Sequence, residues 1–191
     1  MIGIIFGPPG SGKGTQASRI EGEFQLKHLS TGEILRAEVA HGSEIGTEVA
    51  RIMAAGDLVP DHVIVTIVRK RLPDAEAGHG VLLDGFPRTL EQARALDEML
   101  DSEGHRVGFV IALEVPEDEL IDRILHRAAK EGRPDDTREA IEERMREYHK
   151  LTEAVLDHYR KTGLPVKVVD GTGDPDEVFG RIRGAIGISS R

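Results

Sequence analysis

The sequence predicts an α/β fold, a five-stranded parallel sheet flanked by helices, and three observations lead there. Short apolar segments alternate with longer stretches of helical pattern, the arrangement of strands joined by crossover helices. A glycine-rich run, GPPGSGKGT at residues 7–15, follows the first apolar segment directly and opens the first helical one. No repeat, low-complexity tract or linker-like stretch interrupts the 191 residues, so the chain reads as a single domain, 1–191, with insertions.

The elements follow in order. Strands are predicted at IGIIF (Ile2 to Phe6), LKHLS (Leu26 to Ser30), VLLD (Val81 to Asp84), VGFVIALEV (about Val107 to Val115) and VKVV (Val166 to Val169). Between them, Ser30-x-x-Glu33, Thr89-x-x-Gln92, Asp136-x-x-Glu139 and Asp174-Pro175-x-Glu177 each set an N-cap three residues before Glu or Gln. That is the capping-box spacing with which helices begin. A doubly wound sheet of this kind binds its ligands at the carboxyl ends of its strands.

Composition narrows the function. At 39% hydrophobic content the chain can bury one substantial core. No apolar run approaches the length of a membrane span, and MIGIIF is too short, and lacks the basic flank, for a secretory leader. There are no cysteines, which excludes disulfides and thiolate metal sites and suits a cytoplasmic location. A net charge of −9 argues against a nucleic-acid partner held by a broad basic field. Only local groups of Arg and Lys can hold an anion.

The glycine-rich run is a phosphate-binding P-loop in its proper context, and with it the fold class becomes the P-loop NTPase fold. Gly7, Gly12 and Lys13 occupy the motif's fixed positions. Gly10, Ser11, Gly12, Lys13, Gly14 and Thr15 present backbone N–H groups and one full positive charge to the phosphates, with the next helix adding its dipole. The plainer reading, a glycine-rich turn with a surface lysine, does not account for strand, loop and helix together. Position 14, however, is Gly where the motif has a Mg²⁺-binding hydroxyl. Either Thr15 takes over, or nucleotide phosphates and water hold the metal. Asp84, at the end of VLLD, is the carboxylate that a water-bridged Mg²⁺ would use; its plainer role is a turn-former before Gly85.

GPPGSGKGTQ, HLSTGEILR (His28 to Arg36), DGFPRT (Asp84 to Thr89) and GRPDD (Gly132 to Asp136) occur in this order and at spacings that closely resemble the adenylate kinases, along the whole chain. The glycine at 14 marks the nucleoside monophosphate kinases rather than damage to the loop. The resemblance implies a five-stranded core with two mobile insertions, a monophosphate-binding one at about Ser30 to Val59 and a short LID at about Arg127 to Thr137. Relatives with a long LID often carry a four-cysteine zinc site, which this chain cannot build, so no zinc is expected.

Site residues come with the resemblance. It puts Arg36 and Arg88 on the AMP phosphate, with Gly85, Phe86 and Pro87 shaping the loop that carries Arg88. Arg123 and Arg127, four apart on one helical face, go to the adenine and phosphates of ATP, with Gly173 near the same nucleotide. Arg133 at the LID tip and Arg144 in the next helix complete the ring of cations. Arg138 and Arg146 read as solvated partners of nearby glutamates. Asp136 caps the helix expected from Thr137, and by resemblance Asp135 and Asp136 hinge the LID.

The resemblance also implies that Thr31 and Gln92 select the base and that the backbone of Asp57, Leu58 and Val59 would line the same pocket. Relatives that prefer UMP or CMP tend to have Ala and Asn at the first two positions. A glutamine amide can give and receive one hydrogen bond each with adenine; Gln92 would also complete a capping box with Thr89. Two departures from the family pattern look harmless: Glu33 for Asp, and Ala154 for a common Pro, which should only make its helix more regular. His28 reads as a buried, hydrogen-bonded histidine without a chemical role.

The implied reaction is ATP + AMP ⇌ 2 ADP. The acceptor is an ionised phosphate oxygen, so no general base is needed, and alignment and positive charge supply the catalysis. The expected partners are ATP, AMP and ADP, with Mg²⁺ carried by ATP, no nucleic acid, no membrane, and a monomeric chain. A UMP/CMP kinase is the alternative within the class. A non-catalytic nucleotide-binding module would lack some of the arginines, and none of their positions is empty. A GTPase-type switch would want Ser or Thr at 14 and a guanine-reading N-K-x-D, which the chain lacks.

Overall fold

The computed structural model describes residues 1–76, 79–131 and 137–187. Strands β1 (Ile2–Phe6), β2 (Lys27–Ser30), β3 (Val81–Asp84), β4 (Val107–Glu114) and β5 (Val166–Asp170) form one sheet in the order β2-β3-β1-β4-β5. Every neighbouring pair is parallel. Each strand begins and ends within one residue of the sequence expectation.

A parallel sheet covered on both faces needs strands that are apolar at successive positions rather than alternate ones. β1 and β3 are buried along their whole length. Ile4, Phe6 and Leu83 face α4 (Asp61–Glu76), α5 (Leu90–Ser102) and α8 (Glu153–Lys161), where Val68, Leu96 and Val155 meet them. Ile5, Leu82 and Ile111 face the other way, onto Ala17 and Ile20 of α1 (Lys13–Phe24) and Val178 and Ile182 of α9 (Pro175–Ile186). At these fully buried positions a Leu→Ala change costs about 2–5 kcal/mol. One irregularity sits in β4: Ile2 pairs with Val107 but Gly3 with Phe109, so Gly108 is the extra residue of a bulge.

The carboxyl ends of three strands are level. Asp84 pairs with Ile5 of β1 on one side and with Ser30 of β2 on the other. Three connections therefore leave the sheet side by side: the glycine loop, the segment into α2 (Thr31–His41), and the turn Gly85–Thr89 ahead of α5. α2 and α3 (Glu44–Ala55) form the insertion between β2 and α4, each started by a serine that accepts a backbone N–H, Ser30 from Glu33 and Ser43 from Gly46. They lie so close that a Cβ on Gly46 would stand 2.1 Å from the carbonyl oxygen of Glu38. α6 (Glu117–Glu131) follows β4, and the backbone of Ala140 in α7 (Arg138–Glu147) rests against Gly56 at the end of the insertion.

Three local expectations are corrected. The cap of α7 is Thr137, whose hydroxyl accepts from the Ala140 N–H at 3.2 Å, and the helix starts at Arg138; Asp135 and Asp136 lie outside the described residues. Having Ala at 154 does not give a regular helix, because a π-helical turn, Tyr148–Thr152, joins α7 to α8 just ahead of it. Thr89 does cap α5 through the Gln92 N–H, but the Gln92 side chain bonds elsewhere, so that box is only half closed. The box at Asp174 and Glu177 is closed in both directions. Among the described residues, no helix is long and apolar enough to cross a membrane.

Candidate active site

The loop after β1 is built to hold an anion. Gly12 precedes α1 with φ +86°, gives its first turn no side-chain cap, and no acidic residue stands in that turn. The first N–H groups of α1 thus keep their capacity for an outside acceptor. Lys13, the first residue of α1, folds back so that Nζ donates to the carbonyls of Gly7 at 2.6 Å and Pro8 at 2.9 Å. This places a full charge over the loop's centre. At Gly10, with φ +82°, a Cβ would stand 2.8 Å from the Leu120 carbonyl of α6, so only glycine lets the loop approach that helix. Gly14 is different: nothing lies within 4 Å of a Cβ built there. The missing hydroxyl is therefore not a matter of space within the protein.

Across from the loop, the end of β3 supplies both signs of charge. Asp84 is 8% exposed and its Oδ2 lies 3.2 Å from Nε2 of His28. Burial alone would push this carboxyl up, but the His28 bond and the charges of Lys13, His28 and Arg88 outweigh it and hold Asp84 below the ordinary carboxylate range. Next in the chain, Gly85 has φ +76°, and a Cβ there would meet Thr31 Oγ1 at 2.9 Å and the Arg88 guanidinium at 3.1 Å. Phe86–Pro87 is a cis peptide in a loop whose Phe86 is 1% exposed. Arg88 is turned inward, its Nε donating to the Gly85 carbonyl at 2.9 Å. Burial lowers its pKa first; Asp84 opposes this, while the nearby positive charges of Arg144 and Arg36 lower it further. The charges of Arg36 on α2 and Arg144 on α7 are therefore both felt at Arg88 in the β3–α5 turn.

The glycine loop and the Asp84–Arg88 segment open onto one cleft of about 970 Å³. The glycine loop with Lys13, Gly14 and Thr15 forms its floor, and Asp84, Gly85, Phe86, Pro87 and Arg88 one wall. Thr31, Arg36, Asp57, Leu58, Val59 and Gln92 line a side pocket towards the α2–α3 insertion. There the Thr31 hydroxyl donates to the Gly85 carbonyl at 3.0 Å. Arg123 and Gly173 border the other end, Arg123 donating to Glu119 at 2.5 Å and to the Gly171 carbonyl at 3.0 Å. Arg144, half-buried on α7, reaches the Met53 carbonyl at 3.4 Å. The Arg127 side chain and the whole of Arg133 lie outside the described residues. Arg146 and Arg138 pair with Glu143 and Glu142 on the exposed face of α7, as their spacing suggested.

Several lining residues escaped the sequence reading. Tyr148, in the π-helical turn, borders the cleft and its hydroxyl is pushed up to about 12, first by burial and then by Glu153 and Glu114. Thr152 of the same turn donates to the Arg88 carbonyl at 3.3 Å and so steadies the Arg88 loop. His28 was expected to be hydrogen-bonded, but its partner Asp84 is 56 residues away, and only the β2–β3 pairing brings them together.

The family model described as adenylate kinase matches residues 5–164. The chain belongs to the adenylate kinase family. An adenylate kinase of Thermus thermophilus is 50% identical over 185 residues, covering 97% of this chain and 96% of the relative. Those of Leptospira biflexa and Xylella fastidiosa are 45% and 44% identical, covering 94% and 96% of this chain and 96% and 98% of their own lengths. Membership agrees with the five-stranded parallel sheet and the phosphate loop at the end of β1. This adenylate kinase family member is accordingly an enzyme, a phosphotransferase whose reaction is ATP + AMP ⇌ 2 ADP.

Proposed function

We propose that the reaction runs by direct in-line transfer in the 970 Å³ cleft, with ATP phosphates on the glycine loop and AMP in the side pocket beside Thr31 and Gln92. One observation carries this reading: Arg36, Arg88, Arg144 and Lys13 all line one cleft, and the positive charges of Arg144 and Arg36 are felt at the buried Arg88, so a bound dianion would be attracted by all of them. The AMP phosphate is that dianion. Arg88 and Arg36 hold it, and Arg144 bridges towards the phosphoryl group in flight. Lys13 and the α1 N–H groups hold the β- and γ-phosphates. Arg123 borders the ATP end; Arg127 and Arg133 complete the ring from the LID. No side chain has to take a proton, because the attacking phosphate oxygen is already ionised.

Mg²⁺ carried by ATP supplies further charge neutralisation between the phosphates. Asp84 fits a hydrated hard cation: it is an oxygen donor kept ionised, with Lys13 among the charges that lower its pKa, and it borders the cleft. Asp84 would hold the ion through water, with Thr15 as the hydroxyl at hand. The insertion at about 30–59 and the LID at about 127–137 close over bound nucleotide and exclude water, the competing nucleophile. Thr31 and Gln92 favour AMP over UMP and CMP. The enzyme acts as a cytoplasmic monomer, without zinc, nucleic acid or membrane. A crystal structure with both nucleotides bound tests the assignment. The guanidinium groups of Arg36, Arg88 and Arg144 are expected on the monophosphate; the same groups turned to bulk solvent would overturn it.

A further inference from the structure

The side pocket ends on a glutamine whose amide is not free to turn. The Oε1 of Gln92 accepts the backbone N–H of Arg88 at 2.8 Å, and its Nε2 donates to Oδ1 of Asp61 at 2.7 Å. The second carboxylate oxygen, Oδ2, accepts from the Thr89 hydroxyl at 2.9 Å, and the same hydroxyl accepts the Gln92 backbone N–H at 3.2 Å. Asp61 opens α4 in its first turn, where the helix dipole favours a carboxylate. It does not line the cleft; Gln92, 2% exposed, stands between it and the pocket.

These partners dictate which end of the amide points where. A carboxylate only accepts, and a backbone N–H only donates. Rotating the amide half a turn would set Oε1 against the carboxylate and the NH₂ group against the Arg88 N–H, two repulsive contacts in a buried place. One Nε2 hydrogen and one Oε1 lone pair remain for a ligand, in a fixed order. Leu35, Val59 and Ile64, all buried, give the cleft an apolar lining alongside these polar groups.

A fixed order distinguishes bases by the polarity of their edge. Adenine offers an amino donor beside a ring-nitrogen acceptor; a 6-oxo purine offers the reverse, an acceptor beside a ring N–H. An amide free to flip would serve both, whereas one clamped in a single orientation serves one. We infer that Asp61, a residue outside the binding pocket, sets base specificity by clamping the Gln92 amide in the orientation that accepts 6-amino and refuses 6-oxo purine monophosphates. This rests on the placement of AMP beside Gln92 proposed above.

Initial rates with AMP and with inosine monophosphate, which has the same size and the same phosphate, test it. In Asp61→Ala the AMP-to-IMP ratio of kcat/KM is expected to fall about tenfold or more, while the KM for ATP stays unchanged. Asp61→Asn, which keeps an oxygen for the Gln92 N–H, is expected to retain most of the preference. A purely structural role would lower thermal stability and leave the ratio alone. An unchanged ratio in folded Asp61→Ala overturns the inference. Should Asp61→Ala not fold, NMR of the unaltered chain decides: a Gln92 side-chain amide coupled through a hydrogen bond to the Asp61 carboxyl carbon supports the clamp, and a freely exchanging amide rules it out. Failure of the underlying AMP placement looks different, since the unaltered chain would then use IMP as readily as AMP.

Discussion

Nε2 of His28 and Oδ2 of Asp84 stand 3.2 Å apart and tie β2 to β3 at the edge of the sheet where the cleft opens. Their side chains are 8% and 11% exposed. Burial alone would lower the imidazole pKa and raise that of the carboxyl; the hydrogen bond and mutual attraction outweigh burial, so His28 is raised and Asp84 lowered. The raised imidazole contributes stability that is fully present below its ordinary value of about 6.5 and is lost as pH climbs through the raised one. The lowered carboxylate contributes stability above its ordinary value, lost as pH falls through the lowered one. The pair therefore helps most in mildly acidic solution. His28→Gln should cost about 1 kcal/mol more near pH 5.5 than near pH 8, read from urea unfolding; an equal cost at both would contradict the pairing.

Lys13→Met should leave the fold intact and lower kcat by about 10²–10³ or more. Its Nζ donates to two carbonyls of its own loop and it lines the cleft, where a charge of this kind stabilises a transferring phosphoryl group. Steady-state rates together with a melting curve check this. Full turnover in a folded variant would remove the glycine loop from the mechanism.

Arg88→Ala should weaken use of AMP more than of ATP, by about 10²-fold in kcat/KM for AMP. Its guanidinium lies on the side-pocket wall, bonded to Gly85 and close to Arg36 and Arg144. Separate titrations of the two substrates measure the difference. Equal losses for both would place Arg88 between the nucleotides rather than on the monophosphate.

Gly14→Ser should fold and gain about 0.5 kcal/mol, since it replaces a glycine in the first turn of α1 where no atom lies within 4 Å of the new Cβ. Gly85→Ala should lose about 1–3 kcal/mol, because φ is +76° and Thr31 Oγ1 would stand 2.9 Å from the added atom. Denaturant midpoints compare the two. Similar values for both glycines would contradict the contrast in their surroundings.

The strands and the glycine loop were legible because each is a local pattern: an apolar run of four to eight residues, or a loop whose spacing is set by one phosphate. So were the caps at Ser30 and Asp174, which need only a residue and its neighbour three positions on. What could not be read depends on topology. Asp61 holds Gln92 across 31 positions, and His28 holds Asp84 across 56. The half-closed box at Thr89 fails for the same reason, since the Gln92 side chain finds better partners in Asp61 and the Arg88 N–H than in Thr89. The π-helical turn at Tyr148–Thr152 left no mark in the spacing of apolar residues, because it adds a residue to one turn of an otherwise continuous helix. Arg36, Arg88, Arg123 and Arg144 stood out from the other basic residues only through the motifs around them; the cleft brings all four to its walls.

The most direct measurement is ADP formation from ATP and Mg²⁺ with AMP, UMP, CMP, GMP and IMP in turn. AMP is expected to be used at least about tenfold better than any other. Equal or better use of UMP or CMP, or no ADP formed with AMP, would contradict the account.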